Sequence, residues 1–410
     1  MSSPSRCLRE ALVMGRKQII IIGGGPAGLM AAEILSTAHN VSLFDKEKNV
    51  GQKFLLAGKG GLNLTNNVQG EALTVKYSPA GFMNKALSDF DSSALRQWLS
   101  SMGISTFVGS SGRVFPEKGF SPVDVLSKIR ARLMEQGVQF HPEHELVGFD
   151  IDRHVTLKNN KQEVIHKADY ILFALGGASW PKTGSDGSWL TIFQSMGIVT
   201  NPFQASNCGI NINWPEAVRQ YHAGKPVKNI KLSVDDVEEL GEVVITDYGM
   251  EGNAVYPLVP TIRNMLSKNM PAHIFIDFKP SNTEEQLLQK TRGKTVRTKD
   301  YGQLFNLTGV QMAIIKACTG KESFLSLPGF IHSIRKIAIP VDSLRPVAEA
   351  ISTIGGIDLK EVNDDFSLKK YPWIYAIGEM LDWDAPTGGF LLQGCFSMGH
   401  YAAKSIMEKG

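Results

Sequence analysis

The run Ile19–Ile22, broken off by Gly23-x-Gly25-x-x-Gly28, constrains the fold more than any other stretch of this chain. A short, unbroken apolar run is what a strand buried on both sheet faces presents. Ala27 to Ile34 is then small and apolar at helical spacing, and Val41-Ser-Leu-Phe44 reads as a second strand ending in Asp45. Gly23 permits a tight turn, Gly25 lets backbone approach a pyrophosphate, and Gly28 lets helix and strand pack closely. The helix start offers free N–H groups and the positive end of its dipole to phosphates. Strand, turn, helix, second strand and terminal acid in this order point to a dinucleotide site. An acid at position 45 can accept ribose hydroxyls and argues against a 2′-phosphate, so FAD and NAD remain and NADP does not fit this site.

The next stretch, Gly51 to Asn66, carries Gly51, Gly58, Gly60 and Gly61 and reads as too flexible for a helix or regular strand. Such a loop lets main-chain N–H groups approach a flat, polar-edged ligand, with Lys53, Asn63 and Thr65 adding side-chain bonds. Ser93 with Leu95, Trp98 and Leu99 fits a capped amphipathic helix, and Ser121-Pro122 opens another. Val155–Leu157 and Glu163–Ile165 suit a hairpin. In a doubly wound flavoprotein a strand such as Leu146-Val147 passes the adenine. A second apolar strand ends in Ala174-Leu175-Gly176-Gly177, where small residues allow a ligand to lie across the sheet edge. Asp186–Met196 reads as a helix.

From about Thr200 the pattern changes to short β-like runs separated by Pro, Gly and polar residues. Helical segments follow at about 281–330. Residues 200–342 therefore read as an inserted substrate or cap domain, part β-barrel and part helical. It interrupts a nucleotide domain made of 17–199 and 343–410, behind a loose tail at 1–16. In the C-terminal return, Arg345–Thr353 reads as helical and Ile354–Ile357 as a turn. Trp373–Ile377 is then a strand ending in Gly378-Glu379, and Thr387-Gly388-Gly389-Phe390 opens a final helix. This return decides the cofactor. FAD spans far more of a fold than one nucleotide half. A helix start at Gly388, Gly389, Phe390, Leu391, Leu392 and Gln393 can aim N–H groups at the flavin's pyrimidine carbonyls. NAD would leave that element unemployed.

Composition narrows the partners. Lys+Arg 43 against Asp+Glu 40 gives a net +3, which calls for no acidic partner. The one dense basic cluster (Lys290, Arg292, Lys294, Arg297, Lys299) holds no interleaved aromatic residue, so it reads as a solvated loop and no nucleic-acid partner is expected. No apolar run reaches the roughly 20 residues of a membrane span. Residues 1–16 lack a signal peptide's apolar stretch, and Met14 is an alternative natural start. Cys7, Cys208, Cys318 and Cys395 form no C-x-x-C, which excludes a dithiol reductase and suits a reducing, cytoplasmic setting.

GGGPAG at Gly23–Gly28, the Gly51–Asn66 loop, Gly112-Arg-Val-Phe-Pro116, Ala174–Gly177 with Ser179–Gly184, and Gly378-Glu379 with Thr387–Phe390 together resemble the BaiN-like family of NAD(P)/FAD-dependent oxidoreductases. The likeness covers nearly the whole chain after residue 17. It implies a Rossmann-like FAD-binding domain (α/β) interrupted by a β-barrel and a helical subdomain. It also implies that Gly23, Gly25, Pro26, Ala27 and Gly28 hold the pyrophosphate and that Asp45 and Lys46 hold the adenosine side. Lys53, Gly60, Asn63, Thr65, Val147, Ala174, Gly176, Gly378, Glu379 and the Gly388–Gln393 turn would complete the site. Commoner members carry Arg-Cys where this chain has Gly61-Leu62, and His-x-Gly-x-Ser-Gly where it has Asp247-Tyr-Gly-Met-Glu-Gly252. The chain thus resembles a divergent subgroup, to which another member's substrate does not transfer.

The expectation is an FAD-dependent oxidoreductase passing a hydride between flavin N5 and a small organic substrate held between the ring and the insert. Lys182, Asp247 and Tyr248 are the candidates for proton transfer near N5. No second GxGxxG is present, so NAD(P)H would serve only as a transient reductant. A flavin-dependent RNA-modifying enzyme and a non-catalytic flavin sensor are the alternatives. Substrate and oligomeric state are not legible.

Overall fold

The computed structural model describes residues 15–57, 61–160 and 162–409. Among them two compact units separate: one is formed by the chain up to Gln204 together with the stretch from Ser352 onward, the other by Ala205–Ile351.

The first unit is built on five parallel strands. These are β1 (Gln18–Ile22), β2 (Asn40–Phe44), β3 (Gln139–His141), β4 (Tyr170–Phe173) and β5 (Ile374–Ala376), ordered β5-β4-β1-β2-β3. Ile19–Ile22 are all buried, as an unbroken apolar run at the centre of a covered sheet requires. Helix α1 (Pro26–Leu35) follows β1, with Pro26 at its first turn, where a missing N–H costs no bond. Helix α2 (Phe390–Glu408) packs on α1 so closely that a Cβ on Gly399 would lie 2.2 Å from the Ala27 carbonyl oxygen.

Two small antiparallel sheets flank this frame. One pairs Thr65–Asn66, Arg113–Pro116 and Thr106–Val108; the other pairs Glu145–Phe149, His154–Lys158 and Glu163–Lys167. The second of these contains the hairpin foreseen at 155–165. The helix over 122–135 carries a full capping box from Ser121 and Asp124.

Three local expectations need correction. Gln52–Ala57 is helical, because its six residues include no glycine and Gly51, with φ +72°, lies just before it. The cap of Ser92–Ser101 is Asp91, whose carboxylate accepts the Ala94 N–H, and not Ser93. Arg345–Thr353 is not helical: a single 3₁₀ turn, Val347–Glu349, gives way to a strand, Ser352–Ile357. Gly355 and Gly356 lie within that strand at positive φ. A Cβ there would meet the Pro202 and Met380 carbonyl oxygens at 2.4 and 2.2 Å, so the glycines serve close backbone approach and not a turn.

The second unit has its own core, drawn from residues such as Ile230, Leu232, Ile274, Ile276 and Phe330. Its seven antiparallel strands begin with Ile337–Val341 and end with Ser343–Leu344. Those two edges are one stretch of chain interrupted only by Asp342. The first half pairs with Ala272–Asp277 and the second with Ile210–Asn211, so the sheet closes on itself. Helices Gly309–Cys318 and Leu327–Arg335 belong to the same unit, with Phe330 stacked on Tyr301 at 4.0 Å between centroids.

Candidate functional site

A cleft of about 280 Å³ opens in the first unit at the carboxyl ends of β1, β2, β4 and β5. It sits where α1 leads the chain from β1 to β2 on one side while β4 lies on the other, which is where open α/β sheets take ligands.

The β1–α1 turn forms one wall. Gly23 has φ +107°, and a Cβ there would lie 2.2 Å from the Ala174 carbonyl oxygen. A Cβ on Gly28 would lie 2.0 Å from the Gly23 carbonyl oxygen, so the helix can start this close to the strand only with glycine. Gly25 differs: nothing lies within 4 Å of the point its Cβ would occupy. No side chain caps α1. Its first N–H groups therefore have no intrahelical acceptor, at a turn whose Gly23–Ala27 line the cleft.

Asp45 ends β2 and is held by the turn itself. Its Oδ2 accepts the Gly24 N–H at 2.7 Å and its Oδ1 the Glu47 N–H at 2.8 Å. Burial pushes its carboxyl up, against the two backbone bonds that favour the anion. Lys46 lies 2.7 Å from Asp186. Lys53 bridges Glu379 and Ser179, each at 2.7 Å, and Glu379 also accepts the Thr353 N–H. Beside them, burial and the Glu379 charge push the Cys395 thiol up to about 12.

Of the residues singled out in the sequence, Gly23, Gly25, Pro26, Ala27, Asp45, Lys46, Lys53, Ala174, Gly176, Gly378 and Glu379 line this cleft. Gly28 stands behind the turn. Val147 does not line it and is 39% exposed; His144, Glu145 and Leu146 line it in its place. Gly60 lies outside the described residues.

Thr65 and the Gly388–Gln393 turn form a separate cluster, and Asn63 does not line the cleft. Thr65 donates to Gln393 Oε1 at 2.6 Å, and Gln393 donates to the Phe90 carbonyl oxygen. A Cβ on Gly389 would lie 2.4 Å from the Thr65 carbonyl carbon. Phe390 accepts the Tyr77 hydroxyl at its carbonyl oxygen; Leu391 and Leu392 follow in the first turn of α2.

None of the proton-transfer candidates is among the residues that line the cleft. Lys182 is exposed and not part of the lining, although Thr183 and Gly184 are. Asp247, exposed, and Tyr248 belong to the other unit. Burial and its hydrogen bond to Glu251 raise the Tyr248 hydroxyl, and Arg345 lies 4.1 Å from its ring centroid.

Sequence reasoning missed Ser185, which lines the cleft and buries its hydroxyl with no partner. The signal was its place directly after Gly184, at the end of the Ser179–Gly184 stretch already singled out. Asn63 Oδ1 is likewise buried without a partner. The open space at Gly25, the uncapped helix start and the orphaned Ser185 hydroxyl, all at the cleft, fit a bound dinucleotide such as FAD. No cluster of His, Cys, Asp and Glu suited to a metal exists among the described residues. No helix there is long and apolar enough to cross a membrane.

Residues 17–405 match the model described as the HI0933-like protein Rossmann domain. The chain belongs to this family. The HI0933-like assignment and the parallel sheet agree on a Rossmann-type FAD-binding fold, here combined with antiparallel sheets. A 3-dehydro-bile acid delta(4,6)-reductase of Clostridium scindens is 23% identical, covering 96% of this chain and 99% of the relative. A ribosomal RNA dihydrouridine synthase of Haemophilus influenzae is 24% identical, covering 95% and 98%. The solved structure of a 3-ketosteroid-delta4-(5alpha)-dehydrogenase from Rhodococcus jostii aligns with a TM-score of 0.49 at 14% identity, over 95% of this chain and 96% of that one.

Proposed function

We propose that this HI0933-like protein is an FAD-dependent oxidoreductase acting on a small organic substrate. The observation that carries the reading is the glycine-walled cleft at the strand ends, with an uncapped helix start facing it. In this reading Gly23, Gly25, Pro26, Ala27 and Gly28 hold the pyrophosphate, and Asp45, Lys46 and Ser185 face the adenosine side. Lys53, Asn63, Thr65, Gly378 and the Gly388–Gln393 turn serve the remainder. Bound FAD supplies hydride acceptance and donation; the chain supplies binding, orientation and electrostatics. The Lys53–Glu379 pair keeps the cleft floor near neutral while offering N–H donors. The Cys395 thiol, held protonated, acts as a small apolar wall and not as a nucleophile. A nicotinamide donor would dock transiently, since the chain has no second GxGxxG.

The relatives are named for a bile acid and for ribosomal RNA, so neither substrate is carried over. An RNA substrate is favoured by one observation: Lys290, Arg292, Lys294, Arg297 and Lys299 are all exposed, and among the described residues Arg297 alone of these has an ion pair, with Asp300. A steep salt dependence of RNA binding tests it.

The main test is the visible spectrum of the purified protein, followed by anaerobic titration with NADH and NADPH. A flavin spectrum bleached by a nicotinamide or by an organic donor is the expected result. A colourless protein that takes up no added FAD overturns the proposal.

A further inference from the structure

The small sheet beside the start of α2 has two different faces. Along Arg113–Pro116 alternate side chains point opposite ways, and Val114 and Thr65, paired across strands, are fully buried on one side. The other side carries Arg113 opposite Asn66, then Phe115 opposite Phe107. The two phenyl rings stack at 5.7 Å and 29°, and Phe107 is 41% exposed, an unusual position for an aromatic pair in so small a sheet.

Glycines keep this face clear. Gly61 and Gly109 lie against the Phe115 ring, where a Cβ would sit 3.6 and 3.3 Å away, so neither of these two neighbours covers its edges with a side chain. Arg113 is half-buried, and among the described residues its guanidinium makes no hydrogen bond or ion pair. Its Nε lies 3.6 Å from the point a Cβ on Gly388 would take, so the cation lies beside Gly388. A half-buried guanidinium whose five donors have no protein partner is free to meet an anion. A planar fork of donors matches a carboxylate in particular.

We propose that this face is a subsite for an apolar organic acid, with Arg113 gripping the carboxylate and Phe107 and Phe115 the hydrocarbon body. It rests on the FAD reading only in supposing that the Gly388–Gly389 turn lies at the flavin ring, which would make this acid the substrate class of the same site.

The test uses the full chain after FAD loading, with naphthoate and its uncharged amide as probes. Calorimetry measures affinity, and the flavin difference spectrum reports proximity to the ring. Naphthoate should bind roughly tenfold or more tightly than the amide and perturb the flavin spectrum. Arg113→Gln should erase that preference. Arg113→Lys should retain part of it, because the charge remains while the fork is lost. Phe115→Ala should weaken acid and amide alike. Equal binding of acid and amide, or an Arg113→Gln variant that binds naphthoate as before, overturns the subsite. Arg113-dependent binding that leaves the flavin spectrum unchanged overturns its assignment to the substrate. The same titration on protein without FAD separates the two readings: failure to take up FAD sinks the flavoprotein proposal, whereas loss of Arg113-dependent acid binding sinks this one.

Discussion

Gly25 and Gly28 stand three residues apart, yet the space around them is opposite in kind. A methyl group on Gly25 meets nothing within 4 Å, whereas one on Gly28 would sit 2.0 Å from a backbone oxygen. The two alanine variants should therefore separate binding from folding. Gly25→Ala should keep its melting temperature but lose FAD affinity by roughly tenfold or more, because the methyl stands where backbone must approach a pyrophosphate. Gly28→Ala should lose about 1–3 kcal/mol of stability by forcing helix from strand. Flavin fluorescence titration and urea midpoints on both proteins check this. Equal loss of affinity and stability in the two would mean that the turn has no ligand side. These glycines were readable because their tasks are local. Ser185 and Arg113 were not, since an unmet hydroxyl and an unmet guanidinium show themselves only once their neighbours are in place.

Helix α2 closes the first unit through contacts distant in sequence, and its middle and far end make separate predictions. Near its middle, Gly399→Ala would place a methyl 2.2 Å from the Ala27 carbonyl oxygen. The helices must then part, lowering stability by about 1–3 kcal/mol and loosening the turn that Ala27 begins. At its far end Asp365 accepts bonds from the Ser367 N–H and hydroxyl, the Ser405 hydroxyl and Lys409. Burial alone would raise this carboxyl, but these donors outweigh it and bring it down to about 2 from 3.8. A carboxyl depressed on folding stabilises above its unfolded value, and that stability drains away as pH falls from 3.8 towards about 2. Asp365→Asn should cost about 1–2 kcal/mol at neutral pH and flatten the acid slope in that window. Unfolding midpoints at pH 7, 4 and 3 decide it; an unchanged acid slope would show that Asp365 does not anchor the helix. Elements of this first unit were legible where burial pattern is local, as in β1 and the capped helix over 122–135. Gln52–Ala57 was misread because the flanking glycines dominate the composition of its stretch. Ser352–Ile357 was misread because paired glycines in a strand look like a turn until the crossing backbone is seen.

At the scale of the whole chain, residues 205–351 form a unit in which a β-barrel was expected from short β-like runs, but whose strand pairing could not be read from sequence. Closure depends on Ile337–Leu344 pairing at one end with Ala272–Asp277 and at the other with Ile210–Asn211. Such a pairing across more than a hundred residues leaves no local trace beyond Asp342 interrupting the run. Its consequence is testable. A closed sheet has no open edge to protect, the unit carries its own apolar core, and the Ile351 N–H bonds the Asn207 carbonyl oxygen at 3.1 Å, so the two ends meet. A segment with joined ends and its own core is what folds alone after excision. The fragment Ala205–Ile351 should therefore be soluble and melt in one cooperative transition by calorimetry. It should bind no FAD, because every residue lining the cleft belongs to the other unit. A fragment with native-like far-ultraviolet dichroism but no cooperative transition would mean that the closed sheet needs the rest of the chain to fold. A cooperative fragment that bound FAD would move the cofactor site out of the Rossmann unit altogether.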